Sequence, residues 1–179
     1  MKPYAQAARG GVPLGAAGRA ALVAGFAACL TGGPVLAVDV GQAAPQVELA
    51  GSGAAHSLGE LQGRVVYLDF WASWCAPCRQ SFPWMNEMQK KYGSRGLQVL
   101  GINLDTQRAD ADRFLSQLPA QFALAFDAKG ESAKRFGVKG MPTSVLIGKD
   151  GKVLFVHQGF RVEDRAELEE KLTAALAAP

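Results

Sequence analysis

Residues 64–83 read RVVYLDFWASWCAPCRQSFP, and they contain a strand, a turn and the start of a helix. Arg64–Phe70 is a short, almost wholly apolar run rich in β-branched and aromatic side chains, which is typical of a buried central strand. From Ala76 to Tyr92 the apolar positions recur at helical spacing. Cys75 and Cys78 therefore lie where a buried strand passes into a helix.

The spacing of the two cysteines suits redox chemistry. Two thiols separated by two residues on a first helical turn can close a disulfide without moving the backbone. The free N–H groups and the dipole of a helix N-terminus favour an anion, which lowers the pKa of a thiol from about 8.5 to between about 3.5 and 7.5. Pro77 costs no hydrogen bond in this turn, because an N–H there has no helical partner. Cys75 and Cys78 are therefore predicted to form a redox pair.

The alternative interpretation of such a pair is half of a zinc site. Zinc needs two further ligands, but after the first 37 residues the chain has no other cysteine. His56 and His157 lie in separate strand-like segments and show no ligand spacing. No Gly-rich fingerprint for a dinucleotide or a flavin follows a strand either. We therefore expect no metal, and no cofactor besides the cysteine pair.

Strand and helix patterns alternate along the rest of the chain. Strands are predicted at 97–104, 124–126, 143–147 and 153–158, and helices at 109–118, 131–136 and 162–178. Lys149-Asp150-Gly151 is a hairpin turn signal between the last two strands. This order predicts an α/β domain with helices on both faces of a mixed central sheet, parallel in the middle with an antiparallel hairpin at one end.

The predicted domain covers residues 45–179 and follows a Gly/Ala/Gln linker at residues 38–44. Its first part is expected to form short strands at 47–49 and around His56, and then a helical turn at 58–61. From the linker onwards the chain carries as many acidic as basic side chains, because the net charge of +3 comes from residues 1–37. A neutral body of this kind has no electrostatic footprint for nucleic acid.

Residues 1–37 have the pattern of an export signal. A cationic, acid-free start is followed by the apolar run 20–30 and by a cleavage site that ends at Ala37. Two alternatives stay open: an uncleaved anchor, because residues 20–38 carry no charge, and a lipoprotein box that ends at Cys29. All three interpretations place the domain outside the cytoplasm, in a bacterial periplasm, where disulfides are permitted.

Two motifs resemble those of a known family. Residues 68–78, LDFWASWCAPC, resemble the active-site segment of thioredoxin-like proteins, and residues 137–143, GVKGMPT, resemble the loop that bears their cis-proline. Three further features are similar to those of the TlpA/ResA-like branch of periplasmic thiol–disulfide oxidoreductases. They are the export signal, the insertion between the strands at 97–104 and 124–126, and the segment PCRQSFP at 77–83. The resemblance implies a thioredoxin-like fold with an N-terminal extension and a central insertion.

The resemblance also implies roles for individual residues. Cys75 would attack a substrate disulfide as the exposed nucleophile, and the more buried Cys78 would resolve the mixed disulfide. Pro142 would be cis and would face the pair, so that the Met141 backbone could bind an extended substrate segment as an added strand. The residues expected to contact substrate are Trp74, Ala76, Pro77 and Met141.

Asp69 is the remaining catalytic candidate. A carboxylate inside an apolar strand is costly unless it has a partner or a role, and burial should raise its pKa. Six residues before Cys75 it matches the buried acid of thioredoxins, which helps take the proton from the resolving thiol; the alternative is an edge-strand residue that faces water. Many ResA-like proteins have Glu where this chain has Ser81 and Asn where it has Asp69, so a role that rests on that Glu does not transfer.

The favoured activity is reduction of protein disulfides by a monomer. The family suggests the haem-binding thiols of apocytochrome c or copper-site cysteines as substrates, and a membrane or periplasmic thiol donor that re-reduces the pair. A disulfide-introducing oxidase commonly has a His between its cysteines, and Ala76-Pro77 offers no such donor. A copper metallochaperone and a peroxidase are the remaining alternatives. The chain lacks the CxxxC spacing typical of the first and the Thr-x-x-Cys context typical of the second.

Overall fold

The computed structural model describes residues 38–179. The predicted leader, its cleavage after Ala37 and the lipidation of Cys29 lie outside these residues. The strands, numbered in chain order, are β1 (Val65–Trp71), β2 (Leu97–Asn103), β3 (Ala123–Phe126), β4 (Thr143–Ile147) and β5 (Val153–Gln158). The helices are α1 (Ala76–Tyr92), α2 (Arg108–Gln117), α3 (Glu131–Arg135) and α4 (Arg165–Ala177), with short 3-10 segments at Leu58–Leu61, Gly93–Arg95 and Val162–Asp164.

The five strands form one mixed sheet in the order β3-β2-β1-β4-β5. β1 and β3 run parallel to β2, whereas β4 runs antiparallel to both β1 and β5. The predicted sheet, with its parallel middle and its antiparallel hairpin, is therefore confirmed. The last predicted helix begins later than expected, because residues 162–164 form a 3-10 turn before α4.

Alternate side chains of β1 enter two separate apolar clusters. Val65, Tyr67 and Trp71 pack in a cluster with residues of α1, α2 and α4, whereas Val66, Leu68 and Phe70 pack in a cluster with residues of α3 and the N-terminal segment. Because side chains alternate along a strand, Asp69 faces the first cluster. This cluster also contains both cysteines.

The central insertion brings α2 close to the cysteine-bearing end of α1. Ala111 and Phe114 are its buried residues. The ring of Phe114 lies 4.9 Å from the ring centroids of both Trp71 and Phe82. The insertion therefore extends the apolar cluster on which the start of α1 rests.

The N-terminal extension is bound to the edge of the sheet. The Gly41 N–H donates to the carbonyl of Val153 at 2.8 Å, and the Ala44 N–H donates to the carbonyl of Gly151 at 2.9 Å. Residues 38–44, interpreted from their composition as a linker, therefore pair with the hairpin. The sequence did not indicate this, because composition does not reveal backbone pairing. The strands expected near 47–49 and 56–57 are reduced to one antiparallel bridge between Glu48 and Ser57.

Helices long and apolar enough to cross a membrane are absent from residues 38–179.

Candidate active site

The cysteine pair lies at the start of α1, just beyond the carboxyl end of the central strand. Cys75 is the N-cap residue, with an extended backbone at φ −85°, and Pro77 occupies the first turn. The Sγ of Cys75 accepts a hydrogen bond from the Cys78 N–H at 3.3 Å. A disulfide joins Cys75 and Cys78. A sulfur in this position receives the N–H groups that stabilise a thiolate once the pair is reduced.

The two cysteines are much less exposed to solvent than the residues next to them. Cys78 is completely buried. The prediction that Cys75 is exposed is wrong for this disulfide form: Cys75 is only 4% exposed, because its sulfur is bonded to the buried sulfur of Cys78. The neighbouring Trp74 side chain is 71% exposed. Ala76 is exposed and Pro77 is half-buried. The predicted substrate contacts around the pair are therefore open to a partner, while the second sulfur is shielded.

The cis-proline loop lies at the same end of the sheet. The Met141–Pro142 peptide bond is cis, as the resemblance implies. Thr143 Oγ1 donates to the carbonyl of Gly140 at 2.7 Å, and the Gly159 N–H donates to the carbonyl of Pro142 at 2.8 Å. The half-buried Met141 packs against the apolar cluster that contains both cysteines. The structure thus brings this loop and the pair together.

Asp69 is fully buried in the central strand, so the alternative of an edge-strand residue facing water is wrong. Its Oδ1 accepts a hydrogen bond from Ser144 Oγ at 2.6 Å, whereas its Oδ2 has no partner. Burial raises the pKa of Asp69 to about 7, and the hydrogen bond from Ser144 opposes that rise. The carboxyl can therefore gain or lose a proton near neutral pH.

The neighbours of Asp69 place it beneath the first turns of α1. Tyr67 and Trp71 flank it on the same face of β1. The Tyr67 ring lies 5.2 Å from the ring of Trp84, and the Trp71 ring lies 4.8 Å from the ring of Phe82. Both partners belong to α1. The carboxyl thus lies under the helix segment that begins with the cysteine pair.

A second buried carboxylate holds the turn before Cys75, and the sequence analysis missed it. Asp105 accepts hydrogen bonds from the Ser73 N–H and the Ser73 hydroxyl, both at 2.9 Å. It also accepts one from Asn103 Nδ2 at 2.8 Å. These bonds fix the backbone that carries the exposed Trp74. The available signal was a polar pair at the end of a buried strand: Asn103 is its last residue and Asp105 follows it.

Two further serines lie near the catalytic candidates. Ser144, also missed from the sequence, is the hydrogen-bond partner of Asp69. Ser81 is buried, and its hydroxyl donates to the carbonyl of Cys78 at 3.1 Å. The position at which many ResA-like proteins carry Glu therefore holds a neutral side chain bonded to its own helix.

The histidines considered for a metal site are not grouped with the cysteines. His157 pairs with Asp164 at 3.3 Å, and His56 lies in the exposed loop before the 3-10 turn. Across residues 38–179, no three side chains of His, Cys, Asp or Glu form a group that could hold a metal ion.

A CxxC disulfide at the N-terminus of a helix, beside a cis-proline loop and over a buried carboxyl, defines a thioredoxin-fold thiol–disulfide oxidoreductase. The chain belongs to the Redoxin family, whose family model matches residues 39–172.

Relatives and solved structures agree with this assignment. The thiol–disulfide oxidoreductase ResA of Bacillus thuringiensis is 34% identical over 131 residues, which are 73% of this chain and 76% of the relative. A Chlorobium tepidum structure assigned as the thiol:disulfide interchange protein DsbE is 54% identical, with a TM-score of 0.76, and the match covers 79% of this chain and 100% of that one. A thioredoxin-family thiol:disulfide interchange protein of Chlorobium tepidum is 26% identical, with a TM-score of 0.66, over 76% of this chain and 97% of that one. The chain is thus a TlpA/ResA-like oxidoreductase, as the sequence resemblance implies.

Proposed function

We propose that this oxidoreductase works as a monomeric reductase of protein disulfides in the periplasm, where the export signal would deliver it. The observation that carries the proposal is the sulfur of Cys75 at the N-cap of α1, bonded to the Cys78 N–H, over the buried carboxyl of Asp69. This arrangement offers an attacking thiolate, a shielded second thiol and a base. It needs no cofactor besides the pair.

The reaction begins with the reduced pair. The Cys75 thiolate attacks one sulfur of a substrate disulfide, a mixed disulfide forms, and the other substrate sulfur leaves as a thiolate and takes a proton from water. Cys78 passes its proton to the Asp69 carboxylate and attacks the Cys75 sulfur, which releases the second substrate thiolate. Two electrons have then moved to the substrate, and the pair is a disulfide. A thiol donor in the membrane or the periplasm must return two electrons for the next cycle.

Substrate binding is assigned to the surface around the pair. Trp74 would cover one side of the disulfide, and Ala76 and Pro77 would line its rim. The backbone of Met141, held next to Pro142, would pair with an extended substrate segment as an added strand. The proposed substrates are the haem-binding thiols of apocytochrome c or the cysteines of copper sites.

The direction of electron flow follows from what stabilises the Cys75 thiolate. An oxidase needs a strongly stabilised thiolate, since that makes the reduced form the favoured one. Ala76 and Pro77 between the cysteines supply neither a charge nor a side-chain hydrogen-bond donor. The helix N-terminus alone therefore stabilises the thiolate moderately, which favours a reductase.

The test is the reduction potential of residues 38–179, measured by equilibration against glutathione and dithiothreitol. We expect a value at or below about −250 mV, near that of thioredoxin, whereas a value near about −120 mV, that of DsbA, would make the protein a disulfide donor. Insulin reduction by Cys75→Ser and Cys78→Ser variants tests the two roles. Cys75→Ser should lose all exchange, whereas Cys78→Ser should still form a mixed disulfide once; full activity in Cys75→Ser would contradict the proposal.

A further inference from the structure

Four residues form a row across the sheet at the level of Asp69. Asp69 on β1 is paired with Gly101 on β2 and with Ser144 on β4, and Ser144 is paired with His157 on β5. Directly paired residues point to the same face of a sheet. The row therefore faces the cluster that contains the cysteine pair.

Within this row, a side chain that can donate a hydrogen bond to the Asp69 carboxyl is present on one side and absent on the other. On one side, Gly101 has no side chain that could donate a hydrogen bond. On the other side, the Ser144 hydroxyl donates to Oδ1 at 2.6 Å. Oδ2 is buried without a partner. One oxygen is thus held and the other is left free to accept a proton.

We infer that Ser144 is a positioning residue for thiol–disulfide exchange: its hydroxyl holds Oδ1 of Asp69, so that Oδ2 is the oxygen that receives the proton of Cys78. This inference rests on the proposed role of Asp69. The proton moves from the Cys78 sulfur to Oδ2, and the resulting thiolate attacks the Cys75 sulfur. If both carboxylate oxygens of Asp69 accepted hydrogen bonds, the charged form would be stabilised and would be a poor base. Without the bond from Ser144, the carboxyl group could rotate and Oδ2 would not be held toward Cys78.

The other titratable groups of this cluster come from β1, β5, α1 and the turn before α4. Besides the two cysteines, α1 contributes the buried Tyr92, whose hydroxyl donates to Glu169. β1 contributes Tyr67, whose pKa is raised by burial, so its hydroxyl stays protonated through neutral pH. His157 on β5 and Asp164 before α4 pair with each other at 3.3 Å. The buried side chains that α4 adds to the cluster are apolar: Leu168, Leu172, Ala175 and Leu176. The groups expected to exchange protons during the reaction are therefore Asp69 and the two thiols.

The experiment separates the two chemical steps with the chromogenic aryl disulfide DTNB. Attack by Cys75 on DTNB releases one coloured thiolate, and attack by Cys78 on the mixed disulfide releases a second. Stopped-flow traces of reduced residues 38–179 thus give a rate for each step, measured across about pH 5 to 9 to cover the range in which a base near neutrality titrates. The first step is an internal control, because it does not use the proton of Cys78.

The decisive variants are Ser144→Thr and Ser144→Val, which have the same shape and differ in the hydroxyl. Loss of a hydrogen bond to the charged form raises the pKa of the carboxyl, by about one unit for a bond of ordinary strength. We therefore expect Ser144→Val to slow the second step about fivefold at pH 7 and about tenfold below about pH 6, and to move its profile to higher pH. Ser144→Thr should keep the native profile, and the first step should be unchanged in both. If Ser144→Val had the profile of Ser144→Thr, or slowed both steps equally at every pH, the inference would be wrong.

An Asp69→Asn variant distinguishes an error in the role of Ser144 from an error in the proposed role of Asp69. If Asp69→Asn leaves the second step unchanged, Asp69 is not the base and the proposed mechanism fails. If it slows the second step while the two Ser144 variants behave alike, Asp69 is the base and Ser144 does not position it. Adding Ser144→Val to Asp69→Asn should have no further effect on the second step, because the carboxylate is already gone.

Discussion

At the scale of single residues, Asp69 ties stability to pH. Burial raises its pKa from the ordinary value of 3.8 to about 7. A group that binds protons more tightly in the folded state loses its contribution as pH rises. The contribution of Asp69 to the stability of the folded oxidised protein should therefore fall between about pH 4 and pH 7, and level off above that range.

Replacing Asp69 with Asn should remove this dependence. We expect Asp69→Asn to gain stability relative to the native protein as pH rises, by on the order of 4 kcal/mol across the range, since one pKa unit corresponds to about 1.4 kcal/mol. Urea unfolding of the oxidised proteins at several pH values measures the difference. Asp112→Asn is the control, because the Asp112 side chain is 56% exposed. A parallel pH dependence in Asp69→Asn and the native protein would contradict the prediction.

The sequence revealed those site residues whose partners are close along the chain. Cys75 and Cys78 form a local motif, and Asp69 is conspicuous within an apolar run. Ser144 lies 75 residues from its partner Asp69, and Asp105 lies 32 residues from Ser73. Such pairs depend on strand order and register, which periodicity alone does not determine.

At the scale of elements, the turn between β1 and α1 depends on a carboxylate from the end of β2. Asp105→Ala would leave the partly buried donors of Ser73 and the buried amide of Asn103 without an acceptor, and we expect a loss of about 2–4 kcal/mol. Asp105→Asn should cost less, because its amide oxygen can serve two of the donors and the Ser73 hydroxyl can turn to accept. Chemical denaturation of the oxidised variants measures both changes.

The control for this prediction is Asp150→Ala in the hairpin turn. Asp150 also accepts a backbone N–H, from Lys152 at 3.0 Å, but the bond is exposed to water. Its removal should therefore cost less than about 1 kcal/mol. If Asp105→Ala and Asp150→Ala lost the same unfolding free energy, burial of the hydrogen bonds to Asp105 would not contribute to stability.

Element type was predictable wherever periodicity is strong, and the ends were less so. The buried runs that become β1 and β2 and the amphipathic pattern of α1 were correctly identified. Residues 162–164 continue the predicted helical pattern but form a 3-10 turn, in which Asp164 accepts the Arg161 N–H at 2.9 Å. Local hydrogen bonds of this kind displace a helix start without changing the pattern of apolar residues.

At the scale of the whole molecule, the N-terminal extension completes the edge of the sheet. Deleting residues 38–44 removes three backbone hydrogen bonds to the hairpin: Gly41 N–H to Val153, Ala44 N–H to Gly151, and Val153 N–H to Gln42. We expect a loss of about 2–4 kcal/mol in unfolding free energy, since such bonds are worth about 1 kcal/mol each. The rate of thiol–disulfide exchange should be unchanged, because these bonds lie at the hairpin end of β5 and the cis-proline loop lies at its other end.

A shorter deletion, of residues 38–40, is the matched control. It leaves the three bonds in place, so its unfolding free energy should stay closer to that of the native protein. Urea unfolding compares the two truncations, and insulin reduction checks their activity. If the longer deletion were as stable as the shorter one, the paired segment would be a linker after all.

The distribution of the tryptophans makes the molecule its own optical probe. The chain has three tryptophans, of which Trp71 is 0% exposed, Trp84 is 2% exposed and Trp74 is 71% exposed. A charged collisional quencher such as iodide therefore reaches the indole beside Cys75 and leaves the other two emitting. The quenchable fraction of this protein's tryptophan fluorescence therefore reports on its reacting end, so the docking of an unlabelled partner that lacks tryptophan can be followed in solution without attaching a dye.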